Sequence, residues 1–113
     1  MVQIYHNSRC GKSRQCLAFI GETGQEYEVI KYLETTPTFD ELKSIIKKLG
    51  IKPFELVRKN EKIWTANFNG KKMSEDEIIN AMILYPILIE RPIVINGDKA
   101  VIARPFEKVI AII

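Results

Sequence analysis

One cysteine of the chain has the sequence surroundings of a nucleophile. Cys10 lies between a predicted strand and a predicted helix, and residues 7–15 contain no other apolar side chain. A thiol attacks as its thiolate, and the unpaired N–H groups and positive dipole end at the start of a helix favour that ion. The same N–H groups can hold an oxyanion. We therefore expect Cys10 to stay out of the core and to attack an oxyanion.

Basic side chains surround this cysteine in the sequence. Arg9, Lys12 and Arg14 add positive potential, which favours both a thiolate and a bound anion. His6, four residues before Cys10, could donate a hydrogen bond to the thiolate or add charge when protonated. An ordinary polar residue at the end of a strand would give the same pattern, so the sequence leaves the role of His6 open.

The first turn of the predicted helix is expected to contact the substrate through Gly11, Lys12 and Ser13. Ser13 could also donate to the thiolate. It occupies the position where a dithiol redox motif has its second cysteine, and Cys16 occupies the position where a low-molecular-weight tyrosine phosphatase loop has an arginine. These two exclusions indicate a monothiol enzyme that obtains its second thiol from another molecule.

The second cysteine is predicted to belong to the core. Cys16 follows Cys10 by six residues, which on a helix is about 9 Å of rise and about 240° of rotation, too far for a disulfide. It also shares an apolar helix face with Leu17 and Ile20. Because the chain has only two cysteines and one histidine, we expect no metal site.

The composition indicates one ordinary globular domain. The chain has 113 residues, of which 46% are hydrophobic and 27% are charged. Its net charge of +3 is too small to argue for nucleic acid. It shows neither a secretory leader nor an apolar run near the roughly 20 residues that span a bilayer. We expect a cytoplasmic protein that binds neither nucleic acid nor membrane.

Hydrophobic periodicity predicts a β-α-β unit followed by helices. The unit consists of a strand at residues 2–6, a helix at residues 10–22 and a strand at residues 27–32. Such units pair their strands in parallel. Residues 33–86 are predicted to form a helical insertion, with capping-box patterns that begin at Thr38 and Ser74.

After Pro86 the period changes to that of strands. Strands are predicted at residues 93–95 and 100–103, joined by a hairpin turn at Asn96-Gly97. A final helix is predicted to carry Pro105 in its first turn. Its expected apolar stripe consists of Phe106, Val109, Ile110 and Ile113.

This order of elements predicts an α/β protein with a thioredoxin-like fold. The order is β-α-β, then the helical insertion of residues 33–86, then β-β-α, within a single domain of residues 1–113. In that fold the active cysteine lies where the first strand meets the first helix, which is the predicted place of Cys10. A fold alone does not set a function.

Five segments of the chain resemble the glutaredoxin-linked arsenate reductases. They are residues 5–14 (YHNSRCGKSR), 32–35 (YLET), 56–61 (LVRKNE), 86–94 (PILIERPIV) and 103–105 (ARP). The segments occur in the family's order and extend over nearly the whole chain. The resemblance is therefore specific, and it implies the same thioredoxin-like fold with a helical insert.

The resemblance also implies a reaction and the residues that perform it. Cys10 matches the nucleophile and His6 the family's histidine, while Arg58, Arg91 and Arg104 match the arginines that bind the oxyanion. The proline after Arg91 matches a cis-proline. The thiolate would attack arsenate, glutathione would attack the adduct, and glutaredoxin would complete the reduction to arsenite. No bound cofactor is implied: glutathione is a co-substrate and glutaredoxin a partner.

Arginine suits this task for physical reasons. A tetrahedral anion with two negative charges repels a thiolate, whereas the guanidinium fork binds two oxygens at once and stays charged. Arg91 and Arg104 each precede a proline, so each is expected in extended backbone beside a predicted strand. The assignment of Arg58 depends mainly on the resemblance.

Two other functions are compatible with the sequence. Spx-type transcriptional regulators have a similar pattern and act by contacting RNA polymerase, although their usual two-cysteine switch would be removed by Ser13. A related thiol enzyme could also act on another oxyanion or on a thiol adduct. Retention of all three arginines favours arsenate, because simple thiol exchange does not need them.

Overall fold

The computed structural model describes all 113 residues and divides into two compact units. One unit consists of Met1–Thr35 and Arg91–Ile113, and the other of Thr36–Glu90. The first contains the whole sheet and the second contains only helices and connecting segments. That residues 1–113 form one domain stays a prediction.

The sheet unit has four strands, each of four residues. They are β1 (Val2–Tyr5), β2 (Tyr27–Ile30), β3 (Ile93–Asn96) and β4 (Lys99–Ile102), in the order β2-β1-β3-β4. β1 and β2 are parallel, as the β-α-β pattern predicts, whereas β3 is antiparallel to both β1 and β4. In this register Tyr5 lies opposite both Ile30 and Ile93. One edge of the sheet, which we call the active edge, is therefore formed by the ends of β1, β2 and β4 and the start of β3.

Helix α1 (Gly11–Glu22) and the 3₁₀ helix Phe106–Ala111 pack together within the sheet unit. Their contact includes the rings of Phe19 and Phe106, whose centroids are 5.1 Å apart. The apolar core beneath them consists of Val2, Ile4, Cys16, Ile20, Val94, Ala103 and Val109. The prediction that Cys16 is a core residue is confirmed.

The helical unit begins and ends its main helices with local signals. Its elements are α2 (Phe39–Leu49), the 3₁₀ helix Pro53–Leu56, α3 (Lys62–Asn67), α4 (Glu75–Leu84) and the 3₁₀ helix Pro86–Leu88. Both capping boxes form, with the side chains of Thr38 and Ser74 accepting from the third helical N–H. Gly50 ends α2 in the left-handed region, with φ of 69°. The predicted capping boxes at Thr38 and Ser74 are confirmed.

The C-terminal segment differs from the sequence prediction. Pro105 lies before the element rather than in its first turn, and the element is a 3₁₀ helix instead of an α-helix. Residues three apart share a face in such a helix, so Phe106, Val109 and Ile112 pack inward. Ile110 is turned outward and is 60% exposed. The prediction that Ile110 belongs to the apolar stripe was wrong for this reason.

These elements make up a thioredoxin-like fold with a helical insertion between its halves, as the sequence predicts. None of the helices is both long enough and apolar enough to cross a membrane.

Candidate active site

The loop that carries Cys10 connects β1 to α1 at the active edge. The N–H of His6 donates to the carbonyl of Ile30 at 2.9 Å, which extends the β1–β2 pairing by one residue. Asn7 then folds the loop: its side-chain oxygen accepts from the N–H of Arg9 at 3.0 Å, and its carbonyl accepts from the N–H of Cys10 at 3.0 Å. This Asx turn is a local device that needs only a short polar side chain.

Cys10 is the N-cap residue of α1. Its backbone is extended, with φ of −96° and ψ of 120°, and no side chain caps the helix there. N–H groups of the first helical turn lack partners within a helix, and the first turn contains no acidic residue. The sulfur is therefore next to hydrogen-bond donors and the positive end of the helix dipole.

Cys10 is more buried than the sequence predicts. Only 9% of its surface is exposed, although the polar segment around it suggested an open loop. The polar neighbours His6, Asn7 and Ser13 are buried as well, which is possible because they hydrogen-bond to one another. The expectation that Cys10 avoids burial was wrong. Even so, Cys10 is not a member of the apolar cluster that contains Cys16.

The hydroxyl of Ser13 joins the strand end to the helix. Ser13 is completely buried, and its Oγ lies 2.7 Å from Nδ1 of His6 and accepts from the N–H of Asn7 at 3.1 Å. His6 and Asn7 therefore both bond to the hydroxyl of Ser13, which the sequence predicted to contact the substrate. This placement favours a role in positioning the loop.

The neutral form of the His6 ring is favoured at pH 7. Burial lowers the pKa of His6 from its usual 6.5, and the positive charges of Lys31 and Arg14 lower it further. Of the two ways in which His6 could act on the thiolate, the lowered pKa favours donation from a neutral ring, and the sequence alternative of an ordinary polar residue at the strand end stays open.

Gly11 and Lys12 are exposed at the start of α1. The side chain of Arg14 is fixed nearby, because its Nη1 donates to the carbonyl of Ser8 at 2.9 Å. Gly11 and Lys12 are therefore accessible to a ligand at the helix N-terminus, whereas Ser13 is not.

Two of the three expected arginines flank the active edge. Arg91 precedes β3 and Arg104 follows β4, and Nη1 of Arg104 donates to the carbonyl of Arg91 at 3.2 Å. The bond between Arg91 and Pro92 is cis, as the resemblance implies. The N–H of Ala103 donates to the carbonyl of Pro92 at 2.9 Å, which holds the two segments together.

Arg91 has unused donors. Its Nε and Nη1 are buried and have no hydrogen-bond partner in the chain. Leaving a charged donor buried and unpaired is costly, and such groups are usually paired by a ligand or by solvent. The guanidinium of Arg91 is therefore suited to an anion at this edge of the sheet.

Arg58 lies in the helical unit, where it is already paired with carboxylates. Its Nη1 bonds to Glu61, and its Nε lies 3.8 Å from an oxygen of Glu90. An isolated antiparallel bridge between Val57 and Ile89 brings Glu90 to it. Both acidic partners were missed by the sequence reasoning. Arg58 thus differs from Arg91, whose Nε and Nη1 have no such partners.

No group of three or more histidine, cysteine, aspartate or glutamate side chains is arranged to hold a metal ion.

Burial raises the pKa of the Cys16 thiol to about 11, so this second sulfur stays protonated. The chemistry available to the sheet unit is therefore that of one thiol beside hydrogen-bond donors and cations.

Comparisons with known proteins agree with the fold. A model of the ArsC family matches residues 5–112. An Escherichia coli protein named arsenate reductase is 42% identical, over 99% of this chain and 80% of its own length. The uncharacterized protein YfgD of E. coli is 43% identical, over 99% of this chain and 96% of its own. The solved structure of an arsenate reductase from Vibrio cholerae is 40% identical, covers 99% of this chain and 97% of its own, and superposes with a TM-score of 0.94.

The sheet unit has a thioredoxin-like arrangement with one cysteine at the junction of the first strand and first helix. Since the family model covers nearly the whole chain, the protein belongs to the ArsC family.

Proposed function

We propose that the protein reduces arsenate to arsenite, with Cys10 as its single nucleophile and with glutathione and glutaredoxin as electron donors. Membership of the ArsC family and the relatives named arsenate reductase support an oxidoreductase of this kind. The observation that carries the proposal is the pair of buried, unpartnered donors of Arg91 at the edge where Cys10 caps α1. A nucleophile and an anion-binding group at one edge are what attack on an oxyanion requires.

The first step forms a bond between Cys10 and arsenic. The thiolate attacks H₂AsO₄⁻, an As–O bond breaks, and the oxygen leaves as water after taking up a proton. Arsenic remains in its higher oxidation state in this adduct. Donors that meet the growing charge on the remaining oxygens lower the barrier, and we assign that role to Arg91, Arg104 and the N–H groups of the first helical turn. Arg58 is proposed as the third arginine.

Reduction follows with electrons from two further thiols. Glutathione replaces a second arsenic oxygen, which leaves as water, so that arsenic carries both sulfurs. The glutaredoxin thiolate then attacks the glutathione sulfur, forming a mixed disulfide, and the As–S electron pair stays on arsenic, which is thereby reduced. Water displaces Cys10 and releases arsenite. The balance is H₂AsO₄⁻ plus glutathione plus glutaredoxin thiol, giving H₂AsO₃⁻, the mixed disulfide and water.

The remaining site residues have supporting roles in this proposal. His6 donates from a neutral ring, Gly11 and Lys12 contact the oxyanion at the helix N-terminus, and Ser13 holds the loop in place. No bound cofactor is required, since the electrons come from diffusing thiols. We propose a cytoplasmic location, where the glutathione pool is reduced.

A coupled assay tests the proposal. The protein is incubated with arsenate, glutathione, glutaredoxin, glutathione reductase and NADPH, and NADPH loss is followed. We expect an arsenate-dependent rate that Cys10→Ser abolishes and that Cys16→Ser largely retains. If no arsenate-dependent rate is seen while an active arsenate reductase works in the same mixture, the proposal is wrong.

The same assay addresses the other two functions. With glutaredoxin omitted and hydroxyethyl disulfide supplied as the oxidant in place of arsenate, a rate that needs glutathione and Cys10 would indicate a thiol enzyme with another substrate. RNA polymerase captured by the protein, without turnover, would indicate a regulator. One relative of this chain, YfgD of E. coli, is an uncharacterized protein, so the arsenate-free control is essential.

A further inference from the structure

Four cations surround the Cys10 loop and form what we call the basic rim. Arg9, Lys12 and Arg14 belong to the loop and the first turns of α1, and Lys31 directly follows β2. Lys31 is brought to the loop by strand pairing, because the N–H of His6 donates to the carbonyl of Ile30. All four side chains are exposed.

The basic rim is not neutralised by acidic residues. The first 21 residues contain no aspartate or glutamate, and none of the four cations forms an ion pair in the structure. The only fixed member is Arg14, whose guanidinium is bonded to the carbonyl of Ser8. Exposed like charges placed close together repel one another unless a counter-charge arrives.

The field of the rim reaches the floor of the site. The charges of Lys31 and Arg14 contribute to the lowered pKa of His6, which is buried at the start of the loop. A small anion that approaches Cys10 therefore meets positive potential from cations on the loop, on α1 and after β2. Such a field raises the local concentration of anions and the rate of their arrival.

We propose that the basic rim is the recognition surface for glutathione, whose carboxylates it binds while the thiol reaches the sulfur of Cys10. That the thiol is glutathione rests on the proposed function, whereas the position and the charge of the basic rim do not. Arsenate is small enough to be held by the donors beside Cys10, whereas glutathione extends beyond them and brings two carboxylates. Arg9 and Lys31, exposed cations of the rim that the proposed reaction does not use, are suited to those groups.

A thiol–disulfide exchange that needs no arsenate tests this inference. The Cys10 thiolate attacks glutathione disulfide, one S–S bond breaks, a new one forms to Cys10, and glutathione leaves as its thiolate. Adduct formation is followed by mass spectrometry. The same reaction is run with neutral hydroxyethyl disulfide and with cationic cystamine, so that general changes in Cys10 reactivity cancel in the ratios of rates.

Charge removal should affect these reagents differently. In Arg9→Gln and Lys31→Gln we expect the rate with glutathione disulfide, relative to the neutral disulfide, to fall roughly two- to five-fold per charge at low salt. The relative rate with cystamine should rise. High salt should reduce both effects, because it screens exposed charges.

Lys99→Gln is the matched control, since Lys99 is also exposed but begins β4 at the opposite end of the sheet. An equal fall in the relative rate with glutathione disulfide in Lys99→Gln would overturn the proposal. So would a rim substitution that changes the rates with all three disulfides equally. A rim effect that is seen only with glutaredoxin, and not with glutathione disulfide, would also overturn it and indicate a protein-docking surface. None of these outcomes depends on arsenate turnover, so the two proposals can fail separately.

Discussion

Nδ1 of His6 and Oγ of Ser13 are joined by a hydrogen bond of 2.7 Å inside the protein. His6 directly follows β1 and Ser13 is in the first turn of α1, so the bond links the two elements on either side of Cys10. The same Oγ also accepts from the N–H of Asn7. The orientation of the Cys10 loop thus depends on one hydroxyl group that is itself buried.

Ser13→Ala is expected to destabilise the protein and to lower kcat. It leaves the N–H of Asn7 and one nitrogen of His6 buried without a partner, which costs about 1–3 kcal/mol. The unfolding free energy from urea titration and the steady-state kinetics check this. Ser8→Ala is the control, because Ser8 is exposed in the same loop. If kcat/KM in Ser13→Ala matches that of the control, Ser13 has no positioning role.

The charge state of His6 should make stability depend on pH. The pKa of His6 is lowered in the folded protein, so below about 6.5 the unfolded chain binds a proton that the folded chain resists. The free energy of unfolding should therefore decrease as the pH falls below 6.5. Above pH 6.5, His6 should contribute no pH dependence. His6→Asn should lose this part of the pH dependence.

NMR gives a direct check, because His6 is the only histidine of the chain. Its ring signals should titrate with a midpoint below 6.5 in the native protein, and near 6.5 after unfolding. A native midpoint above 6.5 would contradict the argument from burial and from the charges of Lys31 and Arg14.

The two thiols should differ sharply in labelling. At pH 8 iodoacetamide should modify one cysteine of the native protein, and Cys10→Ser should remove that reaction. Cys16 should react only after unfolding, because it is fully buried and its thiol pKa is about 11. Two thiols labelled at similar rates in the native state would contradict the structure.

Much of the fold could be predicted because its signals are local. The capping boxes at Thr38 and Ser74, the glycine that ends α2 and the strand periodicity each depend on a few neighbouring residues. The C-terminal segment could not be predicted in the same way. Its apolar residues fit both an α-helix and a 3₁₀ helix, and only packing on the sheet selects the latter, which turns Ile110 outward.

The site shows the same division between local and tertiary signals. The cysteine at the helix start follows from the sequence around Cys10. The approach of Lys31 depends on the register between β1 and β2, and the pairing of Arg58 with Glu90 depends on a bridge between residues 32 positions apart, Val57 and Ile89. No local pattern contains that information, so the sequence did not predict that Lys31 and Glu90 lie near these groups.

The prediction of a single domain can be tested with one probe in each unit. Trp64, the only tryptophan, is buried in the helical unit against Phe54 and Phe68. Cys16 is buried in the sheet unit. If residues 1–113 are one domain, tryptophan fluorescence and Cys16 labelling should give the same urea midpoint. Thr38→Ala, which removes a cap of α2 worth about 1 kcal/mol, should then lower both midpoints together; separate midpoints would indicate two domains.

Replacing the edge arginines by lysine should reduce catalysis while retaining positive charge. Lysine cannot reproduce the guanidinium fork, so Arg91→Lys should lower kcat/KM for arsenate roughly 100-fold, the usual effect of losing one preorganised donor. Arg104→Lys should act in the same direction and also remove the bond to the carbonyl of Arg91.

Arsenate should raise the Tm of Cys10→Ser, because an anion would pair the buried Nε and Nη1 of Arg91. Adding Arg91→Lys to that variant should reduce the rise, and an unchanged rise would show that the anion is held elsewhere.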